Sequence, residues 1–252
     1  MRFRLHKWYF DCVTASGEAA IVYSARLRWG LLDLGYSAVI HADQGAPASQ
    51  VQVWRSIAPR IQGSVLHWKD PVLGAQGSWE GIAAGPEVPL LEGLRWRCHQ
   101  PGGPAWLRLP AGRELRGLGY AEELLLELPP WRLPFAELRW GRFIPDGGGP
   151  ALAWIQWCGG LDRGWCFQDG RDLRLDGSSE DAVAYDGGRL RLEHAGALRE
   201  GFLLREILGT GAVLCPGPLR RAHEAKALAR GRQEDREGSR EGWVIHERVR
   251  LR

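Results

Sequence analysis

Residues 118–128 read LGYAEELLLEL, and the alternation in this stretch decides the fold class. With a period of two, Leu118, Tyr120, Glu122, Leu124, Leu126 and Leu128 share one face; Gly119, Ala121, Glu123, Leu125 and Glu127 share the other. The pattern predicts a half-buried strand whose apolar side carries one carboxylate, Glu122. An ionised carboxylate among leucines is costly unless it is paired, hydrogen-bonded or protonated. A protonated carboxyl in an apolar chamber is a reagent, so Glu122 is the leading candidate for chemistry.

The flanking sequence repeats this style. Residues 5–13 and 19–29 read as a hairpin about 14–18, followed by strands at 36–42, 50–55, 64–68 and 78–82. Residues 94–98 alternate Leu94, Trp96 and Cys98 against Arg95 and Arg97, and a GGP turn leads to 105–109. Beyond PPW and LP turns come 136–143, 151–157, 165–168, 173–175, 182–185, 189–194 and 201–208, joined by DG and GG turns that suit tight hairpins. Residues 219–232, rich in Ala, Arg, Leu and Glu, predict one short helix. A mobile charged loop is expected at 233–241. Residues 242–251, GWVIHERVRL, close the chain as a strand, with Trp243, Ile245, Glu247, Val249 and Leu251 on one face. The expectation is an all-β protein of sandwich or barrel type, in two tightly packed β domains, 1–130 and 131–252, with one short helix near the C-terminus.

Composition narrows the function. A net charge of +3 over 252 residues does not point to nucleic acid. Only three of the 33 basic residues are Lys and there is no Asn, a bias read as genomic base composition. Thirteen Trp against one Met favour aromatic-lined strands or pockets. Five Cys without repeating C-x-x-C spacing argue against a disulfide framework or a zinc site, and for free thiols. Cys158 and Cys166 flank a short connection and are expected to face each other across a hairpin. Without a signal peptide or an 18-residue apolar run, the expectation is a cytoplasmic protein. The sequence has no G-x-S-x-G, H-E-x-x-H or Walker loop, and no G-x-G-x-x-G opening a helix. DGGGP at 146–150 joins strand to strand and lacks the helix N-terminus that a phosphate site needs.

Glu122 and Glu247 are the sharpest signals, each a carboxylate on the apolar side of a strand. Desolvation would raise such an acid until it can protonate a bond; the structural alternative is pairing with one of the many Arg. Tyr9, Asp11, His6, Tyr120 and His246 are candidate hydrogen-bond partners for these acids. His194, beside Leu190 and Leu192, reads as a satisfied core histidine. Tryptophans can line a hydrophobic site and stabilise a carbocation, although most serve as strand and core residues.

KWYFDCV near the N-terminus, GLGYAE, the LRWGRF of the following strand and GWVIHERV at the end together resemble the hydroxyneurosporene synthase (carotenoid hydratase) and AttH-like family. Tocopherol cyclase and decalin-forming cyclases are its distant relatives. The resemblance implies a lipocalin-like (calycin) architecture of two antiparallel barrel-like domains with a hydrophobic cavity and no cofactor or metal. It places Trp8 and Tyr9 in the aromatic opening motif and Glu122 at the Glu of G-Y-x-E. His6 and Lys7 depart from the family pattern, which has an acidic residue and a second Trp there.

The implied activity is that of a hydratase or cyclase of a hydrophobic polyene or isoprenoid. Glu122, with Glu247, Tyr9 and Asp11, would protonate a C=C bond, and Trp8, Tyr120, Trp96, Trp140, Trp154 and His246 would bind the substrate. A lipid substrate would draw the protein to a membrane surface. A non-catalytic carrier and a pericyclic (Diels–Alder type) cyclase are the alternatives.

Overall fold

The computed structural model describes residues 2–42, 47–82, 87–169, 171–202 and 221–251. The described chain is almost entirely antiparallel strand, in agreement with the all-β reading, and it divides into two compact units, Met1–Leu133 and Pro134–Arg252. Among the described residues no helix is long and apolar enough to cross a membrane.

The first unit contains β1 (Phe3–Val13), β2 (Ala19–Trp29), β3 (Leu32–Ala42), β4 (Ala48–Val53) and β5 (Arg60–Gln62). It continues with β6 (Val65–Asp70), β7 (Ala75–Glu80), β8 (Glu87–Leu91), β9 (Leu94–Arg108) and β10 (Glu114–Leu126). These form one sheet in the order β4-β3-β2-β1-β10-β9-β7-β6-β5, with β8 added to β9. Phe10 of β1, Val39 of β3, Trp68 of β6, Trp79 of β7, Leu107 of β9 and Ala121 of β10 meet in one buried cluster, so the sheet curls around its own core. The connection from β4 to β5 lies across the opening. Ser24 Oγ and the Trp68 indole N–H both donate to the Ile57 carbonyl, at 2.8 and 3.0 Å.

The stretch that decided the fold class is the centre of this sheet, because β10 pairs with β1 on one side and β9 on the other. Its alternation is real, but the barrel core takes the opposite face from the one expected. Leu115 and Ala121 join the core cluster, whereas Tyr120, equally buried, points to the other side of the sheet with Glu122. Small residues are needed inside because the interior is filled by indoles. A Cβ at Gly119 would sit 2.5 Å from Ala105 Cβ and 2.9 Å from the Trp79 ring, and it would overlap the Asp11 carbonyl. That same carbonyl accepts the Trp79 indole N–H at 2.7 Å.

The GGP expected as a turn lies inside β9. Gly119 pairs with Gly103 and Ala121 with Gln100, so Pro101 and Gly102 are accommodated in a bulge. The Gln100 amide, donating to the carbonyls of Glu80 and Pro104, holds the bulge in place.

The second unit contains β11 (Glu137–Pro145), β12 (Leu152–Cys158), β13 (Arg163–Gln168), β14 (Arg171–Leu173) and β15 (Leu175–Ser178). It is completed by β16 (Ala182–Tyr185), β17 (Gly188–Phe202), β18 (His223–Asp235) and β19 (Gly238–Arg250). The order is β14-β13-β12-β11-β19-β18-β17-β16-β15, so the two edge strands follow each other in the chain. Gln156 of β12 accepts from the Ser178 N–H and Oγ of β15 at 2.9 and 2.6 Å, which ties the curled sheet together near its edges.

Two further expectations are corrected here. Residues 223–232 of the expected helix are strand β18, while Leu219 and Arg220 lie outside the described residues. Pairing on both sides overrides helix propensity, and Ala225, Ala227, Ala229 and Gly231 alternate on one face. A Cβ at Gly231 would come within 2.6 Å of Val244 and 2.8 Å of Phe143. The charged loop expected at 233–241 is the tight β18–β19 hairpin, in which Arg240 pairs with Asp235 at 2.9 Å. The strand expected at 201–208 begins on β17, and its remainder falls outside the described residues.

Replacing Gly119 by Ala should destabilise the protein by about 1–3 kcal/mol through overpacking against Trp79 and the β1 backbone. Urea unfolding followed by tryptophan fluorescence measures this, and an unchanged midpoint would refute the close-packing account.

Candidate functional site

The β1–β10 register sets Tyr9 opposite Glu122 and Asp11 opposite Tyr120. The four side chains therefore form a square on the sheet face away from the barrel core. Within each strand a phenol donates to a carboxylate: Tyr9 to Asp11 Oδ2 at 3.0 Å, and Tyr120 to Glu122 Oε2 at 2.8 Å. The Trp96 indole N–H donates to the same Glu122 oxygen at 2.5 Å. Tyr9, Asp11 and Tyr120 are buried and Glu122 is partly buried. Burial raises the Tyr120 pKa well above the phenol range, with nearby Cys98 and Glu122 adding to the shift, so it remains a donor. The Cys98 thiol, opposite Glu122 on β9, is also pushed up by burial and then by the Glu122 charge. Five of the residues singled out in the sequence, Tyr9, Asp11, Trp96, Tyr120 and Glu122, thus come together.

Trp8 points the other way. With His6 it lines a cavity of about 310 Å³ at the end of the first barrel, together with Arg4, Ser24, Arg26 and Arg28. Glu123, the neighbour of Glu122 on the opposite face, accepts from two imidazoles. His6 Nε2 lies 2.6 Å from Glu123 Oε1 and His99 Nε2 lies 3.0 Å from Oε2. Burial acts to raise the Glu123 pKa, but the hydrogen bonds from His6 and His99 and their charges outweigh it and bring it to about 2. Trp8 stacks on His99 at 4.8 Å between ring centres. A wider cavity of about 510 Å³ lies beside Ile57, Arg60, His67, Trp68, Lys69 and Trp106.

In the second unit, Glu247 is not an isolated acid. It forms an ion pair with Lys226, which is fully buried and also reaches Glu224 at 3.3 Å; Arg199 lies 3.0 Å from Glu224. Burial acts to lower the Lys226 pKa, but the two carboxylates outweigh it and the ammonium stays charged. Of the two readings of Glu247, the structure favours a salt-bridge member over a proton donor. Trp140 stands opposite Glu247 in the ladder. Trp154 fills the core beneath Gly141, where a Cβ would overlap its ring.

His246 is held down to about 4 by burial and then by His194, so it is neutral near pH 7. The crevice beside His246 measures about 20 Å³, room for a water rather than a substrate. His194 is exposed, next to the β17 bulge between His194 and Gly196, and is not a core histidine. Cys12, Cys98, Cys158 and Cys166 are in no disulfide; Cys166 faces Trp154 and Cys158 faces Glu137, so the two do not oppose each other. Cys215 lies outside the described residues. Among the described residues no cluster of three or more His, Cys, Asp or Glu could hold a metal ion.

No protein-family model matches the chain, and no curated protein matches it in sequence. Solved structures do match in fold. A crystal structure of CghA with Sch210972 aligns at a TM-score of 0.66 and 13% identity, over 99% of this chain and 89% of that one. Kievitone hydratase from Nectria haematococca aligns at 0.58 and 10%, over 97% of this chain and 88% of that one. An AttH-like protein of Nitrosomonas europaea aligns at 0.57 and 12%, over 97% and 92%. The fold is the lipocalin-like one of these proteins. That agrees with the AttH-like part of the sequence resemblance and does not single out the hydroxyneurosporene synthases within it.

Sequence reasoning passed over Glu123 and His99 as site residues. Their meeting with His6 depends on strand pairing across more than a hundred residues. The available signal was parity: His6, Trp8 and Phe10 share a face, and Glu123 shares one with Ala121.

Two outcomes follow. The depressed Glu123 pKa stabilises the fold above about pH 4.5, its ordinary value, and that contribution is lost as pH falls toward about 2. Urea midpoints of wild type and Glu123→Gln should therefore differ more at about pH 5 than at about pH 2. Lys226→Met should cost about 3–5 kcal/mol by stranding Glu247 and leaving Glu224 to Arg199 alone, measured by the same unfolding assay, and a neutral result would overturn the ion-pair assignment.

Proposed function

We propose that the protein is a cofactor-independent hydratase or cyclase of a hydrophobic, unsaturated small molecule, acting by proton transfer from the carboxyl–phenol square of β1 and β10. The observation that carries this reading is the convergence of Asp11 and Glu122 with Tyr9 and Tyr120 on one buried sheet face. Asp11 and Glu122 stand diagonally across the ladder on one buried face, so a charge on either disfavours ionisation of the other. Tyr120 and Trp96 both donate to Glu122 Oε2 and so fix the orientation of its carboxyl group. Tyr9 and Tyr23, with ring centres 5.5 Å apart, extend the aromatic surface that would face a developing cation.

The reading is supported by its agreement with the sequence resemblance and by a hydratase among the fold neighbours. Proton delivery to a terminal C=C of a linear carotenoid or prenylated quinol, followed by capture by water or by an internal π-bond, is the reaction proposed. Glu247 is assigned no role in it, because it is engaged in the buried ion pair with Lys226.

The test is turnover of linear carotenoids and prenylated quinols in D₂O by wild type, Glu122→Gln and Asp11→Asn. Wild type should place one deuterium on the protonated carbon, and Glu122→Gln should lose about a hundredfold or more in rate. Product without deuterium and with full activity in Glu122→Gln would replace this reading by a pericyclic one. Tight ligand retention without turnover would make the protein a carrier.

A further inference from the structure

The cavity at the end of the first barrel lies on the other side of the sheet from the carboxyl–phenol square, and the proposed reaction does not use it. Three guanidinium groups, Arg4, Arg26 and Arg28, reach its lining. Against them stands one carboxylate, Asp33, which Arg26 meets at 2.7 Å and Arg28 at 3.5 Å. Among the described residues Arg4 has no carboxylate partner. Glu123, hydrogen-bonded to His6 and His99 at the cavity wall, is a second carboxylate, so three guanidinium groups face two acids.

Trp8 supplies an independent sign of a missing ligand. It is 9% exposed and lines the cavity, yet its indole N–H has no acceptor among the described residues. A buried donor left without a partner costs roughly 1–3 kcal/mol, and an acceptor placed at this wall of the cavity would remove that cost. The ring itself is held in place, stacked on Phe10 at 5.9 Å and on His99 at 4.8 Å. A volume of about 310 Å³ is at the small end of ligand sites and suits one aromatic ring with a short acidic tail.

We propose that this cavity binds a small planar aromatic carboxylate, with its anionic end between Arg4 and Arg28 and the Trp8 indole N–H, and its ring against the Trp8–His6 wall. His6 is a positioning residue here: its hydrogen bond to Glu123 fixes the imidazole that flanks the ring. The site is separate from the proposed catalytic face, so it stands whether or not that reading holds.

The experiment is calorimetric titration of the full chain with trans-cinnamate and with its neutral isostere cinnamamide, repeated on Arg4→Gln and Trp8→Phe. Cinnamate should bind more tightly than cinnamamide by about tenfold or more, since charge-assisted hydrogen bonds to guanidinium are lost in the amide. Arg4→Gln should weaken cinnamate by about tenfold and leave cinnamamide nearly unchanged, whereas Trp8→Phe should weaken both. Raising the salt concentration should weaken cinnamate alone. Arg4 is exposed, so its variant keeps the test valid should Trp8→Phe fail to fold. Equal binding of acid and amide, no heat at millimolar cinnamate, or inorganic phosphate competing as well as cinnamate would each overturn the proposal.

Discussion

The first unit depends on the seating of one indole. Trp79 lies in the space left by the missing side chain of Gly119, and its N–H reaches back to the Asp11 carbonyl on the next strand. A single side chain of β7 is thereby packed on β10 and hydrogen-bonded to β1. The position of β1 against β10 then fixes everything functional: Tyr9 opposite Glu122, Asp11 opposite Tyr120, and His6 within reach of Glu123. The G-x-G before Tyr120 is thus a packing element. Its glycines lie in the sheet because backbone and ring atoms of neighbouring strands occupy the places of their side chains.

Much of this was legible in the sequence. Alternation identified most strands, and it paired the right residues on each face of β1, β10 and β19. What alternation does not carry is the side on which a sheet closes. In strands 118–128 and 242–251 the face with more Leu, Ile or Trp was read as the interior. In the structure, Ala121 and Val244 belong to the two core clusters, while Tyr120, Glu122, Ile245 and Glu247 lie on the opposite faces. Both faces of these central strands are buried, so hydrophobicity no longer distinguishes them. The helix expected at 219–232 failed for a related reason. Alanine reads as a helix former, but here Ala229 shares a crowded core cluster with Phe143 and Trp154, where a small residue fits.

The two glutamates singled out by the same reasoning have different neighbours. Glu122 accepts hydrogen bonds from Tyr120 and Trp96, both neutral donors that orient its carboxyl group. Glu247 meets a fully buried ammonium, and the Arg199–Glu224–Lys226–Glu247 chain neutralises itself. Strand position predicted burial for both. The partner that decides the chemistry came from strands paired at long range, β9 for Glu122 and β18 for Glu247.

The barrel opening spanned by the β4–β5 connection has an evolutionary corollary. The Ile57 carbonyl accepts from Ser24 and from Trp68 at once, so both of its lone pairs are engaged. That peptide is an anchor point, and displacing it would strand two donors from opposite sides of the barrel. The chain before the anchor is tied as well, the Trp54 N–H donating to the Gly35 carbonyl at 2.7 Å. With its course over the sheet held at two points, the connection can vary the rim of the lumen through side chains such as Ile57 and Ala58 without renegotiating the sheet beneath.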